Sequence, residues 1–127
     1  MHNFTLNIPD GKKVYFSSDN HLGAPDFEAS KPREKKFVAW LDDAKKDAAA
    51  IFLLGDLFDF WFEYKTVVPK GFVRTLGKLA EIRDSGIPIY FFVGNHDLWM
   101  NDYFEKELNI PVFHKPQEFV LNNKTFL

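Results

Sequence analysis

The sequence predicts an α/β fold through two uninterrupted apolar runs, AAIFLL at 49–54 and IPIYFFV at 87–93, each preceded by a stretch of helical periodicity. A run without polar alternation suits a strand covered on both faces of a parallel sheet. The stretches before them supply the crossovers that parallel strands need. From Pro32 to about Ala50, Phe37, Leu41, Ala44 and Ala48 recur at three- and four-residue spacing with Lys and Asp between them, which predicts an amphipathic first helix. A second helix is predicted over Gly71–Asp84, with Phe72, Leu76, Leu79 and Ala80 on one stripe and Ser85-Gly86 as its stop. At the N-terminus NFTLNI and KKVYFSS flank the turn chemistry of PDGK, which predicts an opening hairpin. Beyond the last long run, NDYFEKELNI suits a short helix, and EFVL, NN and KTFL read as a second hairpin ending at Leu127. No internal repeat, low-complexity tract or linker interrupts the chain.

Composition narrows the function classes. At 127 residues, 46% hydrophobic and 17% aromatic, the chain can bury one core, as one small domain or part of a larger one. Lys+Arg 16 against Asp+Glu 18 leaves a formal charge of -2, so no global basic field points to nucleic acid. Without any Cys there is neither a disulfide framework nor a thiolate metal site, which fits a reducing compartment and leaves only N and O ligands for a metal. No basic n-region precedes a long apolar run, and no stretch approaches the roughly 20 apolar residues of a spanning helix. The expectation is a cytoplasmic protein, at most peripheral to the cytoplasmic membrane face.

Polar residues fall at particular places on this scaffold. In IFLLGDLFDFWF, residues 51–62, two aspartates interrupt a strongly apolar stretch, where an unpaired carboxylate is costly to bury. SSDNHLG follows the first buried strand, GDLFD the second and GNHD the third, so Asp19, His21, Asp56, Asn95, His96 and Asp97 all fall at carboxyl ends of strands. That edge is where open α/β sheets bind ligands. Taken singly, each motif also reads as turn or capping chemistry. Taken in order, they converge carboxylate, imidazole and amide oxygen on one point, a donor set suited to manganese, iron or zinc. Shared cations would offset the cost of burying Asp56. Gly55 and Gly94 let the backbone turn and approach closely behind the strands.

D-x-H at Asp19 to His21, G-D-x-x-D at Gly55 to Asp59 and G-N-H-D at Gly94 to Asp97 resemble the first three motifs of the calcineurin-like metallophosphoesterases. The resemblance implies a β-sandwich flanked by helices, present here as its N-terminal half over 1–127. Within that superfamily SSDNHLGAP, LLGDLFDFWFEY and VGNHDLWM are similar to the UDP-diacylglucosamine hydrolases of lipid A biosynthesis, although many of those carry Arg where this chain has His96. They cleave the pyrophosphate of a UDP-linked acylated glucosamine. The resemblance implies two divalent metals, manganese foremost. Asp19 and His21 would hold the first, Asp56 would bridge both and Asn95 would hold the second. His96 would contact the phosphate or protonate the leaving oxygen, Asp97 would orient its ring, and Asp59 would support a ligand or a backbone amide from outside. The family's later G-H and H-x-H motifs do not occur before Leu127. The segment alone is therefore expected to hydrolyse little, and its exposed sheet edge and apolar surface to favour self-association. Another phosphodiester or phosphomonoester substrate, or a non-catalytic scaffold on the same fold, remains an alternative.

Other features carry less. LFDFWFEY joins five aromatics to two acids and reads as core packing or as a surface for acyl chains. KPREKK, at 31–36, reads as a solvated helix face or a contact for anionic phosphates. Trp40 is expected in the interior or half-buried at a helix edge, and His2 and His114 have no assigned role.

Overall fold

A computed structural model describes residues 4–64, 66–97, 99–122 and 124–126. His2, together with Asn3 and Leu127 of the expected outer strands, lies outside them. The elements are β1 (Phe4–Leu6), β2 (Lys13–Ser17), α1 (Phe27–Ala44), β3 (Ala48–Leu54), α2 (Val73–Asp84), β4 (Ile89–Phe92), α3 (Tyr103–Leu108), β5 (Val112–Phe113), β6 (Phe119–Leu121) and β7 (Lys124–Phe126).

Strands β2, β3, β4 and β5 form one parallel sheet in that order, and β1, β6 and β7 form a second. Because the first sheet always steps in one direction, right-handed crossovers put α1, α2 and α3 on the same face. The second sheet covers the other face. Side-chain alternation records this division: Ile51, Leu53, Ile89 and Phe91 join the core under the helices, while Ala50, Phe52 and Tyr90 join Phe119 and Leu121 between the sheets. Ala48 belongs to the helix-side core although it shares parity with Ala50. A register shift at the Lys13/Val14 pairing, where Ala48 and Ala50 face consecutive residues, accounts for the switch.

The α/β architecture agrees with the sequence reading, with two local corrections. The expected opening hairpin does not form. Phe4 to Leu6 pair parallel with Phe119 to Leu121, while β2 pairs with β3 in the other sheet. The PDGK turn, closed by Lys12 N–H donating to the Pro9 carbonyl at 3.0 Å, passes the chain between sheets instead. Asn122 anchors the departing strand, accepting from Ile8 N–H at 2.7 Å and donating to the Ile8 carbonyl at 2.9 Å. The first helix is also displaced toward the N-terminus. Asp26 caps it by accepting from Ala29 N–H at 2.8 Å, so Pro32 sits in the second turn rather than at the start. Its C-terminal end is Ala44, because 48–50 gain ladder pairing with β2 that outweighs alanine's helix preference.

The α1 face buries Ser30, Glu34, Phe37, Leu41 and Ala44, so the KPREKK run is not uniformly solvated. Glu34 is 2% exposed and accepts from Thr75 N–H at 3.3 Å and from the Thr75 hydroxyl at 3.0 Å. It thereby caps α2, whose own N-cap Phe72 offers no side-chain acceptor. Glu34→Ala should cost about 2 kcal/mol, since a helix cap is lost and buried donors are left unpaired. Urea unfolding measures it, and an unchanged midpoint would remove the cap.

At the far end of these helices Lys45 Nζ lies 2.7 Å from Asp42 and 3.0 Å from Glu81, and Lys78 Nζ lies 3.1 Å and 3.0 Å from the same pair. Hydrogen bonds from Lys45 and then Lys78 hold the Asp42 carboxyl below its usual range, and those from Lys78 and then Lys45 do so for Glu81. A depressed folded pKa contributes stability above the unfolded carboxylate range, near about pH 4, and loses it as pH falls through the folded values. Thermal midpoints between neutral and acid pH should therefore fall less steeply in the Asp42→Asn, Glu81→Gln double variant than in the parent. Equal slopes would show that the network contributes nothing.

Candidate metal centre

Three loops leave the carboxyl ends of β2, β3 and β4 and meet. The first two are laced together by backbone: Asp19 N–H donates to the Gly55 carbonyl at 3.1 Å, His21 N–H to that of Asp56 at 2.9 Å and Leu22 N–H to that of Leu57 at 2.9 Å. Asp59 N–H returns to the Leu22 carbonyl at 2.9 Å. Asp19, His21 and Asp56 all sit at positive φ, between 48° and 55°. This left-handed conformation is uncommon for side-chain-bearing residues and persists only where the surroundings impose it. Side chains that strand geometry would send to opposite faces are thereby turned to one side.

His21, Asp56 and His96 each place a candidate ligand atom within 4.8 Å of the others. His21 Nε2 is 3.9 Å from Asp56 Oδ2 and 4.0 Å from Oδ1 of the exposed Asp19. The other Asp56 oxygen accepts from His96 N–H at 2.9 Å, which ties the β3 loop to the β4 loop. His96 Nδ1 lies 2.9 Å from the Asp59 backbone oxygen. A carbonyl only accepts, so Nδ1 carries the proton and Nε2 is the ring atom left for a ligand. Asn95 is exposed at the same strand end.

Asp97 does not take the place expected for it beside His96. Its side chain is fully buried and accepts from the backbone N–H groups of Gly94 at 2.6 Å, Leu57 at 2.9 Å, Asp56 at 3.3 Å and Phe58 at 3.5 Å. Burial pushes its pKa up, the N–H donors of Gly94, Phe58 and Asp56 pull it back, and the Asp56 charge adds to the rise. It is a clasp between the second and third loops. Asp59 is the carboxylate that reaches the imidazoles, with Oδ1 3.4 Å from His21 Nδ1 and 3.6 Å from His96 Nδ1. Its position three residues beyond Asp56 carries the only sequence signal of this.

The aromatic run divides in two. Phe58 and Trp61 are fully buried, whereas Phe60 and Phe62 are exposed, and Phe62 pairs with the exposed Trp99 at 6.4 Å between ring centroids. The core-packing reading of LFDFWFEY thus holds for Phe58 and Trp61, while Phe60 and Phe62 lie on the surface. His114 bonds the Met100 carbonyl through Nε2 at 3.1 Å, and Trp40 is half-buried against Phe37.

Carboxylate oxygen, a hard donor, and imidazole nitrogen, a borderline one, gathered without thiolate at the end of a parallel sheet suit divalent cations, which defines the protein as an α/β fold with a candidate metal centre at its strand ends. The match to known proteins is more specific: residues 12–126 match the calcineurin-like phosphoesterase family, and the chain belongs to it. That family implies divalent metal ions, and the donor chemistry of His21, Asp56 and His96 fits them.

UDP-2,3-diacylglucosamine hydrolase of Porphyromonas gingivalis is 46% identical over 114 residues, covering 90% of this chain and 44% of that protein. The same-named protein of Haemophilus influenzae is 31% identical over 119 residues, covering 91% and 47%. The chain therefore spans a little under half the length of these curated relatives. Among solved structures, the Pseudomonas putida nuclease MPE superposes with a TM-score of 0.50 at 20% identity, over 84% of this chain and 58% of that one, a likeness of fold. Among the described residues no helix is long and apolar enough to cross a membrane.

Proposed function

We propose that this chain carries metal- and phosphate-binding machinery of a divalent-metal-dependent phosphohydrolase that cleaves the pyrophosphate of UDP-2,3-diacylglucosamine into UMP and 2,3-diacylglucosamine 1-phosphate. The convergence of His21, Asp56 and His96 at three strand ends is the observation that carries the reading. The relatives' names supply the substrate.

In this reading Asp19, His21, Asp56 and Asn95 hold two cations, manganese foremost. Such cations supply charge stabilisation at a phosphoryl group and activation of water. The protein's own part is to orient. Asp59 steadies the His21 and His96 rings through Nδ1, which keeps each Nε2 available. His96 Nε2 then serves a phosphoryl or leaving oxygen, as a hydrogen-bond partner or proton donor. Asp97 acts through the loops alone. The exposed Phe60 and Phe62 follow Asp59 in the chain and the exposed Trp99 follows His96, and in this reading they offer acyl chains a surface at the cytoplasmic membrane face.

The test is UMP release from UDP-2,3-diacylglucosamine with manganese, in the protein expressed from its whole reading frame. His21→Ala should reduce release at least about a hundredfold, because even outer partners of a metal ligand are worth 10- to 100-fold. A folded, manganese-loaded parent that releases no UMP would replace this substrate with another phosphoester.

A further inference from the structure

We propose that the groove between the Ser17–Asn20 loop and α1 is the subsite for the nucleoside-monophosphate half of the substrate; the proposal rests on the pyrophosphatase reading and assigns its polarity. A pyrophosphate joining a nucleotide to an acylated sugar needs two dissimilar surfaces on either side of the scissile bond. Sheet order supplies two flanks. With β2, β3 and β4 adjacent, Asp56 stands in the middle, His96 and Trp99 on the β4 side, and Asp19 on the β2 side. The β4 flank presents the uncharged Phe62–Trp99 pair.

The β2 flank is chemically different. There a groove of about 470 Å³ is lined by Ser17, Asp19, Asn20, Arg33, Lys36 and Trp40, among others. It runs directly into the candidate centre, since Asp19 both lines it and lies 4.0 Å from His21 Nε2. Its two cations have separate tasks. Arg33 donates to the carbonyls of Ala24 and His21, so its guanidinium is engaged in holding the metal-loop backbone. Lys36 is exposed and makes no hydrogen bond or ion pair with any described residue, which leaves its ammonium for a phosphate. Ser17 Oγ donates to Asn20 Oδ1 at 3.1 Å, so the Asn20 amide N–H groups remain for an acceptor on a base or ribose. Trp40, half-buried against Phe37 and Tyr15, supplies an aromatic wall of the kind on which planar bases rest. Cation, amide donor and aromatic wall together suit a nucleotide; Phe16, Leu22 and Phe37 complete the lining, and the cation and the amide are what set this groove apart from the Phe62–Trp99 pair.

The experiment is calorimetric titration of UMP into the manganese-loaded protein and its Lys36→Glu and Lys35→Glu variants. Both lysines are exposed on α1, but only Lys36 lines the groove. Lys36→Glu should weaken UMP at least about tenfold, the loss of one charge-assisted contact, and leave 2,3-diacylglucosamine 1-phosphate unaffected. Lys35→Glu should bind UMP like the parent. Ribose 5-phosphate should bind the parent about tenfold more weakly than UMP, for want of a base to stack. Equal loss in both lysine variants, undiminished UMP binding by Lys36→Glu, or no UMP binding by the parent would each overturn the subsite. UMP release by the parent separates the two readings. Release with Lys36 indifferent to UMP sinks the subsite alone, whereas Lys36-dependent UMP binding without release sinks the substrate assignment and retains a nucleotide groove.

Discussion

Asp97→Ala should unfold the protein more readily by about 3–5 kcal/mol, the range for removing one partner from a buried charged hydrogen-bond network. Four backbone N–H groups, from Gly94, Asp56, Leu57 and Phe58, converge on that carboxylate, whose side chain has zero exposure. Asp97→Asn keeps the volume but turns an amide N–H₂ toward some of the same donors, so it too should lower the midpoint of urea unfolding. This outcome distinguishes two roles for one residue. Were Asp97 merely to orient the His96 ring, Asn would leave unfolding untouched and alter turnover alone.

Gly94→Ala should weaken metal binding. A Cβ at this position would meet Asp56 Oδ1 head-on and would stand 2.6 Å from its Cγ and 2.7 Å from its backbone N. Gly94 is not among the residues at positive φ, so the requirement is for room rather than for an unusual backbone. The carboxylate that joins the β3 and β4 loops cannot give way without releasing His96 N–H. Manganese affinity measured by calorimetry should fall at least about tenfold to a hundredfold, the scale seen when a ligand's support is removed. Parent-like affinity in a folded Gly94→Ala variant would mean that Asp56 is not a ligand. Gly55, by contrast, is at φ 91°, where any L side chain is strained, and its Cβ would also stand 3.2 Å from Gly94 Cα. Two glycines in similar sequence contexts are thus required for different reasons.

Much of the fold was legible because its signals are local. The apolar runs became β3 and β4, the Leu76 and Leu79 stripe became α2, and Phe119–Leu121 with Lys124–Phe126 became an antiparallel pair. Where a residue had two local readings, the sequence could not choose. Pro32 looked like a helix start and is a second-turn residue, because the Asp26 cap lies upstream. Glu34 sits inside a basic run that looks solvated, and only the approach of α2 shows that it is buried on Thr75.

The sequence by itself determined which chemistry gathers at which strand ends: Asp19 and His21 after β2, Asp56 and Asp59 after β3, and Asn95, His96 and Asp97 after β4. It could do so because a strand's hydrophobic run and the polar residues that end it are neighbours in the chain. Only the tertiary structure decided that β1 leaves its neighbour for a second sheet. It also decided that Asp59, not Asp97, faces the imidazoles. Each of these is a contact between distant segments, the Asp97 carboxylate for example meeting Leu57 N–H across 40 residues, and the direction of a side chain there depends on how three loops pack together.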